Sequence, residues 1–393
     1  MINKQHPLKG FLATRFPLLC FGVGIIALIL SLGSYFKDPH HFYFSYLTSF
    51  IFFLGLSMSA MFLVLIQHLT RAGWGIVIRR AAEHMMRNLP LLLLLFIPIL
   101  LGAKNLYHWM DAHVLATDHL VQVKAPYLNK TFFTIRAIGY FIVWLVISKF
   151  FFKKSVEQDI IGGEDITADL QKKSAPAILL FALTYSFASF DWIMSLNPHW
   201  FSTIFGIYVF ANSTLAALCT ISLIYLILRR AGFLKEIVTI EHYHDLGKLI
   251  YGFVVFWTYI AFSQFFLIWY ANIPEETSWF LYRLSGSWKT FTIVLVIGHF
   301  IFPLFFFMSR HVKRHLPSHT FMICFLLIMC YLDVYYLVMP TIQKSVHFSF
   351  ADIACFIGIG GIYLGNIFYN MKKYELIPTK DPYIGESLQF KNH

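Results

Sequence analysis

Polar residues are sparse along this chain. They are spaced to leave ten apolar stretches of about 20 residues, the length a helix needs to cross a hydrocarbon core of ~30 Å. The pattern predicts helices over 16–36, 43–69, 86–103, 131–152, 174–196, 203–229, 247–271, 288–309, 318–340 and 347–371. The fold class is therefore an all-α integral membrane protein with ten transmembrane helices, and residues 1–393 form one polytopic domain. Lys4, Lys9 and Arg15 precede the first run, which is longer than a signal-peptide core and has no small-residue cleavage site, so it reads as a retained helix. The longest connections are 104–130 and 153–173. The second, KKSVEQDIIGGEDITADLQKK, reads as a polar surface loop with one short helix, and 372–393 as a short tail.

Composition agrees with the pattern: 58% of residues are hydrophobic and only 13% charged, against roughly a quarter charged in soluble domains. The net charge of +11 takes its meaning from placement. Of the 31 Lys and Arg, 23 fall on the side shared by both termini and seven on the other, with Arg136 inside a helix. That asymmetry predicts cytoplasmic termini. The basic excess is thus a topology device with scope for anionic-lipid contacts, and not a nucleic-acid footprint. The five cysteines lie singly in apolar runs with no CxxC or CxxCH, so no metal or covalent haem site is encoded. Nor is there a Gly-rich phosphate loop or a nucleophile elbow, which leaves electron chemistry to partner chains.

The candidate chemistry sits in polar residues placed where lipid or a dry core is expected. Asp191 lies between Phe190 and Trp192 in SFASFDWIMSLNPHWFSTIFG, with His199 in the following hinge. An acid and an imidazole at one membrane face read as a proton site, against the alternative that Asp191 braces a neighbouring helix. Asp191, Trp192 and His199 could also supply the aromatic, hydrogen-bonding slot that a quinone headgroup needs. Arg136 is read either as part of this path or as snorkelling to the interface. Helix seven opens with EHYHDLGKLIYGF, where His242, His244 and Asp245 crowd one mouth, and Tyr259 and Gln264 continue as a polar stripe. His299 falls near the middle of helix eight and Asp333 near the end of helix nine. FDWIMSLNP and YLDVYYLVMP each place one Asp before aromatics, Met and Pro, four helices apart. This predicts two pseudo-repeated four-helix bundles, 43–196 and 203–340, flanked by helices one and ten.

FDWIMSLNPHWFSTIFG, EHYHDLGKLIYGFVVFWTYIAFSQFFLIWYANIPEET and the ten-helix layout together resemble the NrfD/PsrC-like membrane subunits. The likeness is nearest to the second such subunit of alternative complex III, a bacterial quinol:cytochrome c (electron acceptor) oxidoreductase. The resemblance implies a multi-pass subunit of the bacterial inner membrane with scope to bind quinone; the lack of paired mid-membrane His and of clustered Cys predicts that the chain binds no redox cofactor of its own. It implies a sister NrfD-like subunit, an iron–sulfur subunit carrying iron–sulfur clusters, haem c subunits and a terminal oxidase as partners. Under it, Asp191, His199, Asp333 and the His242–Asp245 mouth become candidate proton-path residues. The rival class is a proton-coupled secondary transporter, with Asp191 and Asp333 as coupling acids. Such a protein usually carries broken helices, for which the Gly-rich FIGIGGIYLG of helix ten is the candidate.

Overall fold

A computed structural model describes residues 7–392. Ten helices are long and apolar enough to cross a membrane: α1 Phe11–Tyr35, α2 Pro39–Leu69, α3 Gly73–Leu101, α4 Lys130–Ile161, α5 Glu164–Leu196, α6 Phe205–Arg230, α7 Ile240–Ala271, α8 Gly286–Met308, α9 Leu316–Thr341 and α10 Phe350–Met371. The described residues form no strands, and the chain is a multi-pass membrane protein. Short connections alternate the helix directions. Both described chain ends therefore share one face, here the tail face, with the segments around 70–72, 162–163, 231–239 and 309–315; the remaining connections form the far face.

Local chemistry fixes the helix ends. Asp38 caps α2 by accepting the His41 amide ahead of Pro39, and Asn129 caps α4 through the Phe132 amide. Reciprocal capping boxes open α7 (Thr239 with His242) and α10 (Ser349 with Asp352). Asn272 ends α7 in the left-handed region, φ 50°.

The centre of the molecule is α2 and α6, the two most thoroughly buried spans. Around α2, the helices α3, α4 and α5 close a ring; around α6, α7, α8 and α9 do the same. The two rings meet where α2 lies against α6 and α9, and α5 against α6. On the outside, α1 lies along α10 and is mostly exposed. Glycine permits that approach: a Cβ on Gly24 would stand 2.8 Å from the Gly358 carbonyl oxygen, and one on Gly361 would stand 2.7 Å from that of Cys20. The Gly-rich stretch of α10 is therefore a packing face within one continuous helix, not a break.

Helices at the tail face run longer than the apolar pattern indicates. Residues 153–173 are not a surface loop: α4 continues to Ile161, α5 starts at Glu164, and the turn between them is Gly162–Gly163 at φ 74° and 96°. Likewise α3 begins at Gly73, although its first turns carry Arg79, Arg80 and Glu83. Those charges are buried and satisfy one another, so lipid never meets them. Arg79 reaches Glu83 (3.1 Å) and Asp381 of the tail (2.7 Å), while Arg80 reaches Glu83 (2.9 Å) and Asp159 (2.5 Å). The tail itself is a strap. Its Thr379 amide donates to Asp159, its Ser387 accepts from the Val77 amide and meets His242, and Asn392 donates to Glu241.

Two helices depart from regular geometry. α3 breaks at Arg87–Asn88 between two helical segments, where Ser57 and Ser148 donate to the carbonyls of Met85 and Met86. α8 widens into a π-turn over Val296–Ile301. Pro303 stands four residues after His299 and has no amide hydrogen to offer the His299 carbonyl, which accounts for the widened turn.

Candidate functional site

Each ring ends at the far face in a buried acid, and both acids lie seven residues before a proline (Asp191 to Pro198, Asp333 to Pro340). Their surroundings differ. α5 stays helical only to Trp192, one residue beyond its acid, before a 3-10 turn over Met194–Leu196. α9 stays helical to Val338, five residues beyond Asp333.

Asp191 is 1% exposed and bound in a fork. Arg136 Nε donates to its Oδ2 at 2.7 Å and Arg136 Nη2 to its Oδ1 at 3.0 Å, while the Tyr140 hydroxyl donates to Oδ2 at 2.8 Å. Arg136 is placed in turn by the Tyr127 carbonyl (2.9 Å) and by the faces of Tyr127 and Phe132. It does not snorkel to the surface, because a bidentate carboxylate holds it inside. Trp192 is sealed among Phe50, Phe96, Phe141 and Trp144. Its indole nitrogen has no partner among the described residues.

His199 is not joined to Asp191. It is exposed on the far face and lies 2.6 Å from Asp118. Partial desolvation pushes the Asp118 carboxyl up, but the Val121 amide, the His199 ring and the Leu120 amide outweigh it and hold the group below its ordinary value. Lys124 donates to the Pro198 carbonyl and completes this surface clasp. Asp191, Trp192 and His199 therefore do not gather round one slot: the hinge turns His199 outward while packing holds Trp192 in.

Asp333 is fully buried and has no cationic partner among the described residues. Both its oxygens accept from neutral donors: the Tyr208 hydroxyl at 2.5 Å (Oδ1) and the Trp257 indole at 3.2 Å (Oδ2). The ring of Trp257 stacks on His299, with ring centroids 3.9 Å apart. His299 sits in the π-turn of α8, its Nε2 3.7 Å from the Cys330 sulfur and its Nδ1 without a partner among the described residues. Four helices thus converge on Asp333 and His299: α6 gives Tyr208, α7 gives Trp257, and α8 and α9 give the two titratable groups.

A cavity of about 670 Å³ opens beside this cluster. Tyr208, Trp257 and Tyr336 form its back, Gln264 and Thr292 supply polar edges, and Phe262, Phe265, Phe280 and Phe300 make it strongly apolar. Gln264 accepts from the Ser202 hydroxyl at 2.9 Å. Tyr259 is 65% exposed at the cavity mouth. The stripe expected from Tyr259 and Gln264 therefore splits: Gln264 lies on the buried face of α7 with Val254, Trp257 and Ile260, and Tyr259 points outward. At the far-face end, Arg283 covers Trp279 and donates to the carbonyls of Tyr336 and Leu337.

The tail-face mouth of α7 is closed. His242 Nδ1 accepts from the Thr239 amide, and Nε2 lies 3.1 Å from the Ser387 carbonyl, so this ring is a cap and a tether for the tail. His244 is buried beside Asp245, which pairs with Lys248 on the same helix. Glu241 is clamped by Arg314 and Asn392.

The apolar pattern does not pick out Tyr208, Trp257 and Arg283, because an aromatic or terminal Arg is ordinary in a membrane helix. The Arg79–Arg80–Glu83 network was readable in principle from its i, i+3 and i, i+4 spacing. His68, His84 and His319 are also buried; His319 meets the Ser222 hydroxyl at 2.7 Å.

Fold and site together define a multi-pass membrane protein in which each helix ring ends in a buried acid, Asp191 ion-paired and Asp333 held by neutral donors. No protein-family model and no curated protein matches the chain.

Proposed function

We propose that this chain is a non-catalytic membrane subunit of a respiratory quinol-oxidising complex of the alternative complex III type, and that it carries part of a proton route through its second ring. The motif resemblance supplies the assembly, and the surroundings of Asp333 support the role. A group that relays protons must change charge in place, and a carboxyl held only by a phenol and an indole can do so without stranding a cation. His299 lies across Trp257 as a second titratable group, and the π-turn that holds it is a geometry frequent at functional sites. The α7–α8 cavity offers an aromatic slot with a few hydrogen-bonding edges, of the character and size that suit a quinone ring. It is a better candidate for that ligand than the region of Asp191, Trp192 and His199.

Gentle detergent extraction of the tagged chain tests the assembly. The reading expects haem c absorbance and iron–sulfur proteins to co-purify in fixed ratio with the chain. Purification of the chain alone, fully folded and with neither, would point instead to a transporter.

A further inference from the structure

We propose that the far-face cavity between the α1–α2 turn and the α9–α10 turn is a headgroup site for an anionic glycerophospholipid. The cavity measures about 440 Å³. Lys37 enters it from one turn and Lys344 from the other, with Ser34, Ser345, His41 and His347 around them. Neither lysine takes part in an ion pair among the described residues; the pair at this cavity is His41 with Asp352. The acid in the lining, Asp38, accepts the His41 amide at 3.1 Å as the N-cap of α2 and keeps its charge, against the two of the lysines. His41 in turn is held by Ser349 (2.7 Å) and Asp352 (3.5 Å).

Two lysines from separate turns thus line a pocket with hydroxyl donors, and they outnumber its one lining carboxylate, Asp38. A phosphodiester answers that arrangement: it brings one negative charge and several acceptor oxygens for lysine and serine donors. The surroundings favour a lipid over a soluble anion. Phe36, Phe348 and Phe350 stand at the rim, 82%, 47% and 59% exposed. From the rim toward the membrane centre, α1 and α10 present Ile29, Leu32, Ile353 and Ile357 outward, a track for acyl chains. The cavity is also larger than a phosphate group requires, which leaves room for glycerol. A zwitterionic headgroup would carry its own cation toward the two lysines and is disfavoured. This inference is independent of the proposed respiratory role.

The test is native mass spectrometry and thermal melting of the full chain, purified in the assembly in which it is extracted and then delipidated. Phosphatidylglycerol, phosphatidylcholine and inorganic phosphate are compared as ligands. Phosphatidylglycerol is expected to be retained and to raise the melting temperature, with phosphatidylcholine and phosphate doing neither. The Lys37→Gln/Lys344→Gln variant should bind phosphatidylglycerol roughly twenty-five-fold more weakly, from about a fivefold contribution by each lysine at an anionic surface. Lys37→Arg/Lys344→Arg should retain binding, which separates loss of charge from loss of fold. Equal retention of the two lipids, undiminished binding by the Gln variant, or equal protection by inorganic phosphate would overturn the proposal.

Discussion

A carboxylate that exchanges protons has to lose its charge without damaging the fold, and Asp191 is poorly placed to do so. Its charge neutralises Arg136, whose side chain is 9% exposed. Removing one partner of a buried pair costs about 3–5 kcal/mol, because the other is left uncompensated. Asp191→Asn should therefore lower folded yield and melting temperature, and the double variant Asp191→Asn/Arg136→Gln should recover much of the loss; fluorescence-detected size-exclusion reads both. Asp333→Asn strands no cation, so the same assay should show it close to the parent chain. The surface clasp behaves differently. Because Asp118 is held below its ordinary value, its contribution is fully present above that value, near 4, and is lost as pH falls through the folded-state value. A nitroxide at Ala116 should be as immobile at pH 5 as at pH 7 and should loosen below about pH 4. His199→Ala should loosen it at all pH values.

At the scale of elements, the apolar pattern located all ten spans but made several of them too short, starting α3 and α5 late and ending α4 early. It reads hydrophobicity, and the missing turns of α3, α4 and α5 are charged. They remain helical because Arg79 and Arg80 pair locally with Glu83 and are completed by Asp381 and Asp159, acids far away in sequence that no local window can register. The chemistry was legible to a similar degree. Asp191, His299 and Asp333 are conspicuous as polar residues in apolar runs, but their roles depend on partners: Arg136 is 55 residues from Asp191, and Tyr208 is 125 residues from Asp333. Tyr259 shows the limit, since a polar residue on a helix is uninformative until its face is known. The tail provides an element-level prediction. Truncation after Tyr374 removes Asp381, Ser387 and Asn392, and leaves Arg79 with Glu83 as its remaining partner. It should destabilise the tail face by about 3 kcal/mol or more, read as a lower melting temperature and faster hydrogen exchange in residues 76–86 and 240–246.

For the whole molecule, the two rings share an order of packing, a terminal acid and the same spacing from acid to proline, yet their acids are held in opposite ways. Under the proposed role the labour divides: the first ring is braced by Asp191–Arg136, and the second holds Asp333 by neutral donors near the α7–α8 cavity. The most direct test is Asp333→Asn in the assembled complex, reconstituted in proteoliposomes after its subunit, haem c and iron content have been matched to the parent. The account predicts full assembly with quinol oxidation that is slowed or uncoupled and a lost or strongly reduced membrane potential. Full assembly with unchanged turnover and unchanged potential would contradict it.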